Sequence, residues 1–325
     1  AENLERTGVL PSDLVDLGAS LRDRLELNLA PGIPELEDED LADPKARERL
    51  SLPAVEIVET LRRDIQSWRG SQQFKRMVVV NLATAERTRE LPKGWDDPEG
   101  KPLELLASVP ADFPRSLLYG MAAVAEGVPF VNFTPAMGAE VPAFAGWAGR
   151  EGVPVLGNDG KTGETLMKSA LAPMFRDRAL RVLAWEGYNM LGNLDGAALE
   201  DPDRKARKVA NKDGVLQGIL GDPGTHSGVS IDFVPSLHDW KTAMDFIHFE
   251  GFLGTKMQLQ FTWQGSDSAL AAPLVLDLAR LALLAKERGE GGPLTAAAAF
   301  FKNPAGTDEH DLHRQMAELR AWVRR

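Results

Sequence analysis

Lysine and the acidic residues are the side chains around which chemistry can be built in this chain. It holds no cysteine and only five histidines, so thiol nucleophiles, disulfides and zinc-thiolate sites are excluded. His310 and His313 form a close pair, but in a charged helical pattern near the carboxyl end, a poor setting for a metal. The segment Gly157-Asn158-Asp159-Gly160-Lys161-Thr162-Gly163-Glu164-Thr165 follows an apolar run and precedes a helical pattern. Its amides and the helix amino end could cradle an anion. The order is not that of a Walker loop, and a Gly-rich turn with a threonine cap explains it about as well. Lys208 and Lys212 follow Asn189-Met190-Leu191-Gly192-Asn193-Leu194-Asp195-Gly196 and lie four apart on one helix face. Like charges repel there unless an anion sits between them, though a solvated basic helix is the commoner explanation. Lys241, in His238-Asp239-Trp240-Lys241, and Lys302, in Phe301-Lys302-Asn303-Pro304, stand beside apolar or aromatic residues. Desolvation there lowers a lysine pKa toward that of a proton carrier; snorkelling is the more frequent outcome. Gly265-Ser266-Asp267-Ser268 has the form of a helix N-cap.

These residues need a scaffold, and 325 residues at 43% hydrophobic suffice for one large core or two modest ones. The 48 acidic residues against 37 basic ones leave a net charge of -11, which argues against a broad nucleic-acid surface. An anionic ligand must then meet a local cationic pocket. No run approaches the roughly 20 uninterrupted apolar residues of a membrane helix, and no charged-then-apolar leader opens the chain. The expectation is a soluble cytoplasmic protein with no membrane partner. A helical pattern (Leu4, Val9, Leu10, Leu14, Leu17) starts almost at once with no strand before it, so a further amino-terminal piece is expected upstream.

Residues 1 to 70 read as helices joined by an acidic, proline-containing stretch, with Val55, Ile57, Val58, Leu61, Ile65 and Trp68 largely on one face. Met77 to Leu82, Val128 to Phe133 and Val153 to Gly157 are compact apolar runs typical of buried parallel strands. The helical pattern Arg115 to Glu126 lies between the first two and Pro142 to Arg150 between the later two. Strands and helices in alternation point to a doubly wound α/β sheet with ligands beyond the carboxyl ends of the strands, where Asn81, Asn132 to Pro135 and Gly157 to Asp159 fall. After Thr165 the pattern changes to strands at 179 to 186, 228 to 234 and Met257 to Trp263, an α+β arrangement. Long helical patterns return at Ala269 to Glu287 and Asp311 to Val323.

Taken in order, these segments resemble the inositol-phosphate synthase family. Asn81-Leu82-Ala83-Thr84-Ala85-Glu86-Arg87 resembles its Thr-Ala-Asn-Thr-Glu-Arg, and Phe130-Val131-Asn132-Phe133-Thr134-Pro135 its Tyr-Ile-Asn-Gly-Ser-Pro. The Gly157 to Thr165 segment is similar to Gly-Asp-Asp-x-Lys-Ser-Gly-Gln-Thr, with Glu164 in place of the glutamine. Gly192-Asn193-Leu194-Asp195-Gly196 resembles Gly-Asn-x-Asp-Gly, and Lys208 and Lys212 then fall on the lysines of Ser-Lys-Glu-x-Ser-Lys with no gap. Asp239 to Asp245, Asp267 to Pro273 and Phe301 to Pro304 parallel Asp-Ser-Lys-Val-Ala-Met-Asp, Asp-Ser-Leu-Leu-Ala-Thr-Pro and Leu-Lys-Ala-Pro. The resemblance covers nearly the whole chain. The family's Gly-rich dinucleotide loop is expected upstream of Ala1, and Gly94-Trp95-Asp96 does not replace it.

The resemblance implies an isomerase that cyclises D-glucose 6-phosphate to 1D-myo-inositol 3-phosphate with NAD. Oxidation, enolisation, intramolecular aldol closure and reduction would follow one another. It implies a Rossmann-like domain over 1–164, completed by 270–325, and an inserted α+β catalytic and tetramerisation domain over 165–269. Lys208 would serve the oxygen being oxidised, Lys241 the enolate and Lys302 the aldehyde oxygen, with Asp159, Asp195 and Asp267 beside them. Lys212, Thr162, Gly163, Thr165, Asn193 and Leu191 would hold the phosphate. Asn81, Thr84, Asn132, Thr134, Pro135, Asp159, Asp239, Asp267 and Ser268 would meet the cofactor, and a monovalent or divalent cation could lie near the nicotinamide. Ammonium groups suit a reaction in which negative charge develops on oxygen. A homotetramer is implied. The alternatives are a simple NAD-dependent dehydrogenase of related fold and a phosphosugar- or nucleotide-binding protein without turnover.

Overall fold

A computed structural model describes residues 8–26, 28–34, 43–72, 76–83, 86, 87, 89–193, 196 and 215–325. In chain order the helices and strands are α1 (Ser12–Glu26), α2 (Pro44–Leu50), α3 (Ala54–Gln72), β1 (Val79–Asn81), α4 (Pro102–Leu105), α5 (Arg115–Ala125), β2 (Phe130–Asn132), α6 (Pro142–Arg150), β3 (Pro154–Leu156), α7 (Glu164–Asp177) and β4 (Arg181–Leu191). There follow β5 (His226–Phe233), β6 (Trp240–Glu250), β7 (Lys256–Ser266), α8 (Asp267–Glu287), β8 (Gly292–Pro293) and α9 (Leu312–Val323), with short 3-10 turns between some of them. The chain divides into two compact units, Ala1–Gly157 with Ala279–Leu294 and Asn158–Leu278 with Thr295–Arg325.

The first unit holds a parallel sheet in the order β1-β2-β3-β8. Every residue of β2 and β3 is buried, as a parallel sheet covered on both faces requires. Gly127, at φ +64, ends α5 in a conformation that costs glycine little. Val128 N–H then reaches back to the Ala123 carbonyl at 2.9 Å, turning the chain directly into β2. On α3, Ile57, Val58, Leu61 and Ile65 are buried and Val55 is exposed, so the expected face is real but narrower than expected.

The second unit holds a mixed sheet in the order β5-β4-β6-β7, with β4 parallel to β5 and antiparallel to β6. Trp185, Gly187, Asn189 and Leu191 alternate on the buried face of β4. Phe175 and Ala172 of α7 pack there with Trp185, Ile247 and the helical residues Val215, Leu216 and Ile219. Sequence reasoning did not anticipate β6. Its inward positions hold Ala243 and Asp245 while Met244 lies exposed, so the alternation that marks a half-buried strand is inverted there. One expectation is corrected: α8 is long and apolar enough, by length and composition, to cross a membrane. A count of uninterrupted apolar residues misses it because Asp277 and Arg280 punctuate the run.

Candidate functional site

In the second unit, residues 158–161 lie antiparallel to 300–303. Asn158 and Asn303 exchange backbone hydrogen bonds at 2.6 and 3.1 Å, Lys302 N–H donates to the Asp159 carbonyl at 2.7 Å, and Lys161 N–H donates to Phe300 at 2.8 Å. Asp159 sits at φ +63, a left-handed conformation that aspartate tolerates better than most residues. Its carboxylate receives the Lys302 ammonium at 2.6 Å, both groups being buried. Removing either partner would leave the other charge stranded away from water.

The second lysine pair forms where β6 begins and α8 starts. Lys241 donates to Asp267 Oδ2 at 3.1 Å, and the Thr162 hydroxyl donates to Asp267 Oδ1 at 3.0 Å. Asp267 therefore joins the Gly-rich segment to Lys241. Asp239 is a second hub: its carboxylate accepts from Ser266 Oγ at 2.5 Å, Ser268 Oγ at 3.0 Å and Asn193 Nδ2 at 3.3 Å. Ser266 Oγ in turn accepts the Ala269 N–H at 3.2 Å, acting as the cap of α8. Gly192 must lack a side chain, since a Cβ would lie 2.3 Å from the Val234 carbonyl oxygen.

At the amino end of α7 the N-cap is Gly163, which offers no side-chain cap. Thr165, 1% exposed, has a hydroxyl with no hydrogen-bond partner among the described residues. Helix-terminal amides and an unpartnered hydroxyl are what an anion would use. Leu191 is buried at the end of β4 and packs with Ile231. Lys208, Lys212, Asp195 and Thr84 lie outside the described residues.

Asn81, Asn132, Thr134 and Pro135 gather in the first unit at the carboxyl ends of β1 and β2, and all four are buried. Asn81 Nδ2 donates to Asn132 Oδ1 at 3.0 Å, as does Thr134 Oγ1 at 3.0 Å, and Asn132 Nδ2 donates to the Ala136 carbonyl at 2.7 Å.

Three buried groups in the second unit escaped the sequence reading. Lys161, 2% exposed, donates to Gln315 Oε1 at 3.0 Å, and burial, followed by the nearby Lys302 charge, lowers its pKa to about 8. His310 is also pushed down, chiefly by burial and then by Lys161. Asn189, fully buried, has neither amide atom partnered among the described residues. A polar residue on the inward phase of a strand was the available signal. Lys168 is fully buried beside Glu164, the ion pair measuring 3.0 Å; its i,i+4 spacing from an acid was the available signal.

Residues 163–268 match the family model described as myo-inositol-1-phosphate synthase. The chain is similar to inositol-3-phosphate synthase 1 of Bacteroides thetaiotaomicron, 34% identical over 83% of this chain and 65% of that protein. It is also similar to inositol-3-phosphate synthase isozyme 1 of Arabidopsis thaliana, 32% identical over 90% of this chain and 59% of that protein. The chain thus spans about six-tenths of the length of these curated relatives. The crystal structure of inositol-3-phosphate synthase from Caenorhabditis elegans matches with a TM-score of 0.80 at 24% identity, over 98% of this chain and 66% of that one. A myo-inositol-1-phosphate synthase-related protein from Thermotoga maritima matches with a TM-score of 0.68 at 25% identity, over 84% of this chain and 71% of that one.

Proposed function

We propose, because this chain belongs to the myo-inositol-1-phosphate synthase family, that it is the larger part of an enzyme converting D-glucose 6-phosphate to 1D-myo-inositol 3-phosphate. The observation that carries the reading is the pairing of two lysines with two aspartates around the Gly-rich segment, Lys302 with Asp159 and Lys241 with Asp267. Each carboxylate orients an ammonium that can donate to a developing oxyanion and take back a proton. Lys241 would serve the enolate and Lys302 the aldehyde oxygen during ring closure. Lys208 would serve the oxygen being oxidised and Lys212 the phosphate, with Asp195 beside them. Gly163, Thr162, Leu191, Asn193 and the unpartnered hydroxyl of Thr165 would line the phosphate pocket.

NAD, when bound, supplies a hydride acceptor that is regenerated within the same turnover. The residues present fit such a group in part. The neutral donors and acceptors of Asn81, Asn132 and Thr134, with Pro135, stand at the carboxyl ends of parallel strands. That is where doubly wound sheets take nucleotides, and a neutral set suits an amide or hydroxyls. This supports reading the first part of the chain as a Rossmann-like domain, with 165–269 as the catalytic and assembly domain. Thr84 would add to these cofactor contacts. Asp239 and Asp267 are the carboxylates that would help hold a cation. Self-association is supported by the apolar residues Tyr188, Met244, Met257 and Leu276, which the second unit leaves exposed; the homotetramer and the cytoplasmic setting rest on the family resemblance.

The test is incubation of the full-length protein with glucose 6-phosphate and catalytic NAD. Periodate-labile inositol phosphate is assayed while NADH absorbance is followed. Product without net NADH is expected. Stoichiometric NADH would make it a dehydrogenase, and phosphosugar binding without product would make it a binding protein.

A further inference from the structure

Glu164 lies between Gly163 and Thr165, in the turn proposed to hold phosphate, where the family pattern has a neutral glutamine. Its carboxylate is 1% exposed and points beneath β4: a Cβ on Gly187 would stand 2.6 Å from Glu164 Oε1 and 3.4 Å from Asp245 Oδ1. Asp245, which also accepts from Trp185 Nε1 at 2.7 Å, therefore brings a second buried carboxylate to the same glycine. A negative charge in the first turn of a helix is itself stabilised by the amino-terminal dipole. An uncompensated Glu164 would consequently compete with a bound phosphate for that field and repel it. Lys168, one turn further along α7 and fully buried, sets its Nζ 3.0 Å from Glu164 Oε1, without hydrogen-bond geometry. The contact is thus a charge pairing rather than a directed bond.

We propose that Lys168 is a positioning residue of the phosphate pocket, its buried ammonium neutralising Glu164 so that the amino end of α7 keeps its affinity for a phosphate dianion. The inference rests on the phosphate-pocket reading above and assigns this chain's departure from the family glutamine a compensating partner. The unpartnered hydroxyl of Thr165, adjacent to Glu164 in sequence, independently indicates a ligand at that turn.

Four full-length proteins test it: wild type, K168M, E164Q and E164Q/K168M, each titrated with glucose 6-phosphate, inorganic phosphate and NAD, with kcat, KM and thermal midpoint measured. K168M is expected to weaken both phosphate ligands by about tenfold or more, the scale of one unscreened like charge at short range, with KM rising far more than kcat falls and NAD affinity unchanged. E164Q/K168M is expected to return phosphate affinity to within about threefold of wild type. Unchanged phosphate affinity in a folded K168M, or a double variant as weak as the single, overturns the proposal, as does equal weakening toward NAD. If K168M does not fold, E164Q decides: it is expected to bind inorganic phosphate several-fold more tightly, and equal or weaker binding overturns the proposal. Wild-type protein that binds phosphate without cyclising glucose 6-phosphate sinks the enzymatic reading alone; wild type that binds neither phosphate ligand removes the pocket and this inference together.

Discussion

Replacing Lys161 by methionine should change stability in a way that depends on pH. The ammonium is 2% exposed, and its pKa falls from 10.5 to about 8, first through burial and then through Lys302. At about 1.36 kcal/mol per unit, holding the charged form in the fold costs about 3 kcal/mol at neutral pH. The folded state binds fewer protons than the unfolded state between pH 8 and 10.5 or thereabouts, so wild-type stability rises with pH across that window and the cost is fully present below it. Methionine removes the charge cost, but it also strips Gln315 Oε1 of its donor at 3.0 Å, a loss of about 2 kcal/mol for a buried acceptor. K161M is therefore expected to be about 1 kcal/mol more stable than wild type near pH 7 and about 1 kcal/mol less stable near pH 10. Urea unfolding of both proteins at the two pH values measures the swing, about 2 kcal/mol. A stability difference of the same sign and size at both pH values would refute the reasoning, because Lys161 would then be titrating as an ordinary surface lysine.

Lys241→Ala should abolish turnover while leaving the circular dichroism spectrum and thermal midpoint close to wild type, since the side chain is partly exposed; near-normal activity would remove its assignment. Thr165→Val should leave stability unchanged or slightly raised, because the buried hydroxyl has no partner to lose among the described residues. It should nevertheless raise KM for glucose 6-phosphate several-fold, and an unchanged KM with lowered stability would show a structural hydroxyl instead. Gly187→Ala should destabilise the second unit by about 2 kcal/mol or more, as the new methyl group falls 2.6 Å from Glu164 Oε1; a thermal midpoint equal to wild type would show that the Glu164 side chain can withdraw.

Much of the scaffold was open to reading. The apolar runs before Asn81, Asn132 and Gly157 became the parallel strands β1, β2 and β3, because a strand buried on both faces must be continuously apolar. The helix at Pro142–Arg150 has the bounds its proline and closing glycines suggest. β6 was hidden by its inverted alternation, and Lys168 by resembling a solvated i,i+4 pair. The residues that gather around Asp159 and Asp267 were legible as motifs, each compatible with a surface turn when taken alone.

The sequence by itself determined which residues are available for chemistry, the alternating strands and helices around β1 to β3, and the family pattern, because these depend on residue types, near-neighbour periodicity and spacing. Only the tertiary structure decided that Lys302 meets Asp159, 143 positions away, that Asp267 accepts from both Lys241 and Thr162, and that Lys161 and Lys168 are buried charges. Partner choice and desolvation are set by groups brought together from distant parts of the chain, and neither leaves a mark in local spacing.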